Sequence, residues 1–176
     1  MNVYIALFRG INVGGKNILS MKALIGILDE LGFVEINTYI QSGNVIFRSS
    51  KKCSSSTATQ VGKKIMAQHG FKPKVLLLGE TELRLAVKNN PFNTDEAKAL
   101  HFYFLDAIPE SPDLAKLEGL KSDSEEFALF GTVFYLYAPD GIGRSRLAAV
   151  VEKNMGVAAT ARNWNTVNKL ISMVGA

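Results

Sequence analysis

Val34-Glu35-Ile36-Asn37-Thr38-Tyr39-Ile40-Gln41-Ser42-Gly43-Asn44-Val45-Ile46-Phe47 is the stretch that decides the fold. Val34 to Ile40 is rich in β-branched residues and reads as a strand. Gln41-Ser42-Gly43-Asn44 is a hairpin turn, and Val45-Ile46-Phe47 is the strand returning from it. A hairpin makes its strands antiparallel neighbours, because a parallel pair needs a crossover of roughly a dozen residues or more. The doubly wound parallel sheet typical of nucleotide-binding α/β proteins is thereby excluded.

Working outward, Val3 to Arg9 reads as a strand apolar on both faces, followed by a glycine-rich loop from Gly10 to Leu19. Met21, Leu24, Ile25, Leu28 and Leu31 recur at helical spacing and stop at Gly32. After the hairpin and a Lys/Ser-rich loop, a helix through Val61, Ile65 and Met66 ends near Gly70, and Val75 to Leu78 is a fourth strand. The order is β-α-β-β-α-β.

The second half repeats it. A short helix with Leu83, Ala86 and Val87 leads to the connector Asn89-Asn90-Pro91-Phe92. Leu100 to Leu105 is a strand, and Ser111-Pro112-Asp113 predicts a helix start with serine as its cap. Glu126 to Phe130 and Val133 to Tyr137 make a hairpin around Gly131-Thr132. Arg144 to Met155 is expected as one helix, Val157 to Ala159 as a short last strand, and about Asn163 to Val174 as a terminal helix. The expected fold is α+β: two tandem ferredoxin-like (α/β-plait, split β-α-β) repeats with a C-terminal helix. The expected boundaries are 1–80 for the first repeat with its Gly-rich loop, 81–98 for a connecting helix and linker, and 99–176 for the second repeat with the terminal helix.

The chain of 176 residues is 47% hydrophobic and 20% charged, which excludes a disordered or fibrous protein. It has no basic leader and no apolar run of the ~20 residues that cross a bilayer, so no membrane is expected. A single cysteine, Cys53, rules out an intrachain disulfide and fits a cytoplasmic location. His69 and His101 are too few, with one cysteine, for a zinc site of the usual kind. No metal or cofactor is expected. Residues 1–88 carry 12 basic and 5 acidic side chains, a balance of +7, and residues 89–176 carry 8 and 11, a balance of −3. The first half therefore attracts anions through its field.

Gly10-Ile11-Asn12-Val13-Gly14-Gly15-Lys16-Asn17 matches the phosphate-binding pattern G-x-x-x-x-G-K, except that Asn17 replaces the hydroxyl residue that ligates magnesium. A nucleoside triphosphatase is therefore disfavoured. In the plait, the loop after the first strand and the hairpin after the second lie at one end of the sheet, joined by the Gly70-Phe71-Lys72 turn. Arg9, Asn12, Gly14, Gly15, Lys16 and Asn17 are then neighbours of Gln41, Ser42, Gly43 and Asn44, a gathering of donors and cations suited to phosphate or carboxylate. The plain alternative is that these glycines only let the chain turn. Arg162 and Asn163, beside Trp164, are further candidates, with Trp164 read first as a packing anchor. Cys53 lacks a neighbouring histidine, and no carboxylate pair suggests acid/base catalysis; no catalytic residue is assigned.

The block Ala6-Leu7-Phe8-Arg9-Gly10-Ile11-Asn12-Val13-Gly14-Gly15-Lys16-Asn17 resembles the signature of a bacterial family of unknown function, DUF1697. Gly32-Phe33, Thr38 to Val45, Asn90-Pro91-Phe92 and Thr160 to Val167 fit as well, so the likeness spans nearly the whole chain. It implies a cytoplasmic protein of two plait-like repeats and brings no activity or ligand.

The leading expectation is a binding module for a phosphorylated ligand or nucleic acid, with single-stranded RNA stacking on the sheet aromatics Tyr4, Phe8 and Phe47 as one form of it. An enzyme acting on a small anionic metabolite at the same loops is the alternative. A structural homodimer, closed over the apolar second sheet faces, is the third.

Overall fold

The computed structural model describes all 176 residues, Met1–Ala176. The chain divides into two compact units, Met1–Arg84 with Leu170–Ala176, and Leu85–Lys169. No helix is long and apolar enough to cross a membrane.

In the first unit β1 (Asn2–Arg9), β2 (Val34–Tyr39), β3 (Asn44–Ser49) and β4 (Lys74–Gly79) form an antiparallel sheet in the order β2-β3-β1-β4. The alternation of β1 splits its side chains between two faces. Tyr4, Ala6 and Phe8 join Val45 and Phe47 against α1 (Met21–Glu30) and α2 (Ser55–His69), which contribute Leu24, Ile27, Leu28, Val61 and Ile65. Phe47 stacks on Phe33 at 4.3 Å. Each such fully buried side chain contributes about 1.5–3 kcal/mol relative to exposure. Helix α1 starts where Ser20 Oγ accepts the Ala23 N–H, and α2 stops at Gly70 in the left-handed region, φ 80°.

The other face of β1 is equally dry: Ile5 and Leu7 are fully buried. Near the start of that strand, Val3 and Ile46 share a small hollow with Met173 and Val174 of the last helix, α6 (Trp164–Val174).

The second unit holds β5 (Leu100–Leu105), β6 (Glu126–Phe130), β7 (Val133–Tyr137) and β8 (Ala159–Asn163), antiparallel in the order β6-β7-β5-β8. Tyr103, Leu105, Phe134 and Leu136 pack on Leu117 of α4 (Leu114–Leu120) and Val151 and Met155 of α5 (Val151–Met155). On the opposite face Phe102 stacks on Trp164 at 5.8 Å. Tyr135 donates its hydroxyl to the Ala86 carbonyl of α3 (Glu80–Lys88) at 2.5 Å.

Four local expectations need correction. The helix anticipated from Arg144 to Met155 is broken into two 3-10 turns, Ile142–Arg144 and Ala148–Val150, before the short α5, whose stop at Gly156 is as expected. The last strand begins at Ala159 rather than Val157, because its ladder with β5 runs from Leu105↔Ala159 to His101↔Asn163. Asp113, not Ser111, caps α4 by accepting the Lys116 N–H at 3.0 Å. Tyr4, Phe8 and Phe47 are buried under helices, so no aromatic platform faces solvent for base stacking. On the apolar second faces, Ile5, Leu7, Phe102 and Tyr135 are all fully buried.

Candidate functional site

The glycine-rich loop leaves the end of β1 with its base pinned and its tip in water. Ile11 and Leu19 are buried, while Val13 to Ile18 are exposed. Five of its residues, Gly10, Asn12, Gly14, Gly15 and Asn17, hold positive φ between 51° and 83°. Glycine and, less readily, asparagine adopt that region at low cost, which is why the loop is built from those two residue types. At the tip, Lys16 N–H donates to the Val13 carbonyl at 3.0 Å across Gly14-Gly15. Two central residues at positive φ make this a type I′ turn, so the loop is a miniature hairpin closed below by Asn12 N–H to the Asn17 carbonyl.

Asn12 is the organising side chain. Its Nδ2 donates to the Leu19 carbonyl at 2.8 Å and to the Gln41 carbonyl at 2.9 Å, and its Oδ1 accepts the Leu19 N–H at 2.8 Å. The loop and the Ile40–Gly43 turn are thus joined directly, although 29 residues separate Asn12 from Gln41. Phe8 N–H adds a bond to the Gly43 carbonyl at 2.8 Å. Asn17 Nδ2 ties back to the Gly10 carbonyl, and buried Asn44 donates from Nδ2 to the Tyr39 carbonyl and Ser42 Oγ. Arg9 pairs in register with Lys74, which brings the Gly70-Phe71-Lys72 turn to the same end.

The candidate residues therefore divide by role. Arg9, Asn12, Gly14, Gly15, Lys16, Asn17, Gln41, Ser42, Gly43 and Asn44 gather at one end of the first unit. Within that group the asparagines serve as internal tethers. Gly14 and Gly15 carry amide N–H groups that the chain does not use itself, next to the exposed Lys16. Arg162 and Asn163 belong to the second unit, on β8. Asn163 Oδ1 caps α6 by accepting the Thr166 N–H at 3.1 Å. Arg162 lies opposite Phe102, and burial pulls its guanidinium down to about 10.

Sequence reading missed Asn12 as a bridge, although an asparagine among glycines was the available signal. It also missed the exposed apolar rim of Val13, Ile18 and Ile40. Ile40 is β-branched yet sits at φ 50°, a strained geometry that the adjoining Gln41–Asn12 bond helps to hold. Burial pushes the Cys53 thiol up, partly opposed by Ser49 and Thr57, and its backbone N–H donates to the Tyr4 hydroxyl at 3.1 Å.

Residues 1–135 match the family described as "Protein of unknown function (DUF1697)". No curated protein matches the chain. Among solved structures it is similar to a conserved bacterial protein, SP0830, from Streptococcus pneumoniae, at 26% identity and a TM-score of 0.68, with 98% of each chain covered.

Proposed function

The chain belongs to the DUF1697 family, and from that premise we propose that it is a binding module for a phosphorylated small molecule, held at the glycine-rich loop and the hairpin turn beside it. The observation that carries this reading is the pair of consecutive unused N–H groups at Gly14 and Gly15, adjoining Lys16 on a loop that Asn12 holds rigid. Successive backbone donors in a left-handed turn form an anion-binding concavity, and a loop already ordered loses little entropy on binding. Arg9, Lys72, Lys74 and the +7 balance of residues 1–88 add field of the right sign.

We read the two units as two tandem ferredoxin-like repeats, in line with their shared element order and the matching strand orders β2-β3-β1-β4 and β6-β7-β5-β8. The single cysteine fits a cytoplasmic setting. RNA is the weaker form of the binding proposal, because backbone contacts are left without stacking. The enzyme alternative lacks a general base at the loops, where the exposed groups are cations and amides.

Thermal-shift titration with inorganic phosphate, sugar phosphates and nucleotides tests the reading. A bound ligand at 100 times its dissociation constant adds about 2.7 kcal/mol. Stabilisation that weakens with added salt and falls in Lys16→Ala is the expected result. A flat response to every phosphate overturns it. Filter binding of single-stranded RNA across a salt series separates the nucleic-acid form, since phosphate contacts strengthen as salt falls.

A further inference from the structure

The second unit contains a hollow of about 230 Å³ whose lining includes Leu120, Ser122, Glu125, Asp140, Arg144 and Arg146. Two loops build it, the approach to β6 and the segment after β7, and they are cross-linked where Ser124 Oγ donates to Asp140 at 2.5 Å. Glu125 is only 5% exposed, and one of its oxygens accepts the Ser122 N–H at 3.1 Å. No side-chain oxygen sealed from water lacks a partner, and Ser122 is Glu125's one hydrogen-bond donor. The second Glu125 oxygen is therefore not sealed from water, on a residue that lines the hollow.

Both carboxylates are thus fixed by serine-loop donors, each with one oxygen left over. Arg144 and Arg146 belong to the same lining, and neither forms an ion pair with Glu125 or Asp140. Four charges of zero net sum surround the hollow without closing on each other. A nearly buried carboxylate with no cation beside it is costly until one arrives. A guanidinium is a planar fork that fits a carboxylate through two parallel bonds. A phosphate dianion would meet Glu125 and Asp140 and be repelled, and a bare cation would meet the arginines. A molecule bearing one charge of each sign satisfies both pairs. At ~30 Å³ per water the hollow holds about eight waters, the size of a small zwitterion rather than of a nucleotide.

We infer that this hollow binds a free α-amino acid, its carboxylate on Arg144 and Arg146, its ammonium on Glu125 and Asp140, and an apolar side chain against Leu120. The site is independent of the loop cluster of the first unit. Isothermal titration and thermal shift with the common amino acids, one at a time, test it on the full chain. Saturable binding is expected for a zwitterion. It is expected to vanish for the same molecule with its amine acetylated or its carboxylate amidated, which also separates a free amino acid from a peptide end. Glu125→Gln, which keeps the acceptor for Ser122 N–H, and exposed Arg146→Ala should each lower affinity about tenfold or more. If Glu125→Gln unfolds, Arg146→Ala alone decides. No binding by any amino acid overturns the assignment, as does binding that the blocked derivatives or Arg146→Ala leave unchanged.

Discussion

Gly43 and Gly15 hold similar positive φ angles, +85° and +72°, but a methyl group would meet very different surroundings. A Cβ on Gly43 would lie 2.5 Å from Phe8 Cβ and 2.8 Å from Ile11 Cδ1, whereas one on Gly15 has nothing within 4 Å. Gly15→Ala should therefore cost only the left-handed backbone term, about 1–2 kcal/mol. Gly43→Ala adds overpacking of about 1–3 kcal/mol to the same term. Urea denaturation of the two variants should rank them in that order. Asn12→Ala removes three hydrogen bonds and leaves the Leu19 N–H and carbonyl without partners near the buried loop base, a loss of about 1–3 kcal/mol in the same measurement. At this scale the residue types were legible: glycine and asparagine marked a tight loop. Which partner each amide would take was not, because hydrogen bonds across 29 residues leave no trace in local pattern.

For the elements, hydrophobic periodicity located strands and long helices well and failed where short pieces depend on their neighbours. Strand β5 runs from Leu100 to Leu105 as read, since a run apolar on both faces with no turn residue has few other uses. The segment from Arg144 to Met155 has helical spacing but breaks into 3-10 turns, with Ser145 Oγ accepting the Ala148 N–H in the middle. The start of α4 is a second case. The sequence puts Ser111 at the cap and Pro112 in the first turn, whereas the cap is Asp113. Asp113→Ala should cost about 1 kcal/mol by thermal or chemical denaturation, and Ser111→Ala much less. Equal losses would contradict the assignment of the cap.

At the scale of the whole molecule, a buried histidine ties stability to acid. His101 lies in β5, almost wholly buried, and burial lowers its pKa from the ordinary 6.5, partly opposed by the Ala99 carbonyl. The unfolded chain therefore takes the proton first as pH falls through 6.5, and stability declines from there down to the folded-state value, being complete above 6.5. Urea midpoints measured across that window should fall with pH in the native chain, and fall less in His101→Gln. Equal slopes would show that His101 does not contribute. What the sequence determined alone was the antiparallel β-α-β-β-α-β order, the two helices of the first unit and the loop whose glycines bend it, because alternation, capping residues and turn residues act over a few neighbours. Only the tertiary structure decided that both faces of β1 and β5 are dry, that Asn12 ties the loop to the hairpin, and that Glu125, Arg144 and Arg146 line one hollow. Those outcomes depend on which distant segments come to lie together, and burial and hydrogen bonding of that kind are properties of the packed chain.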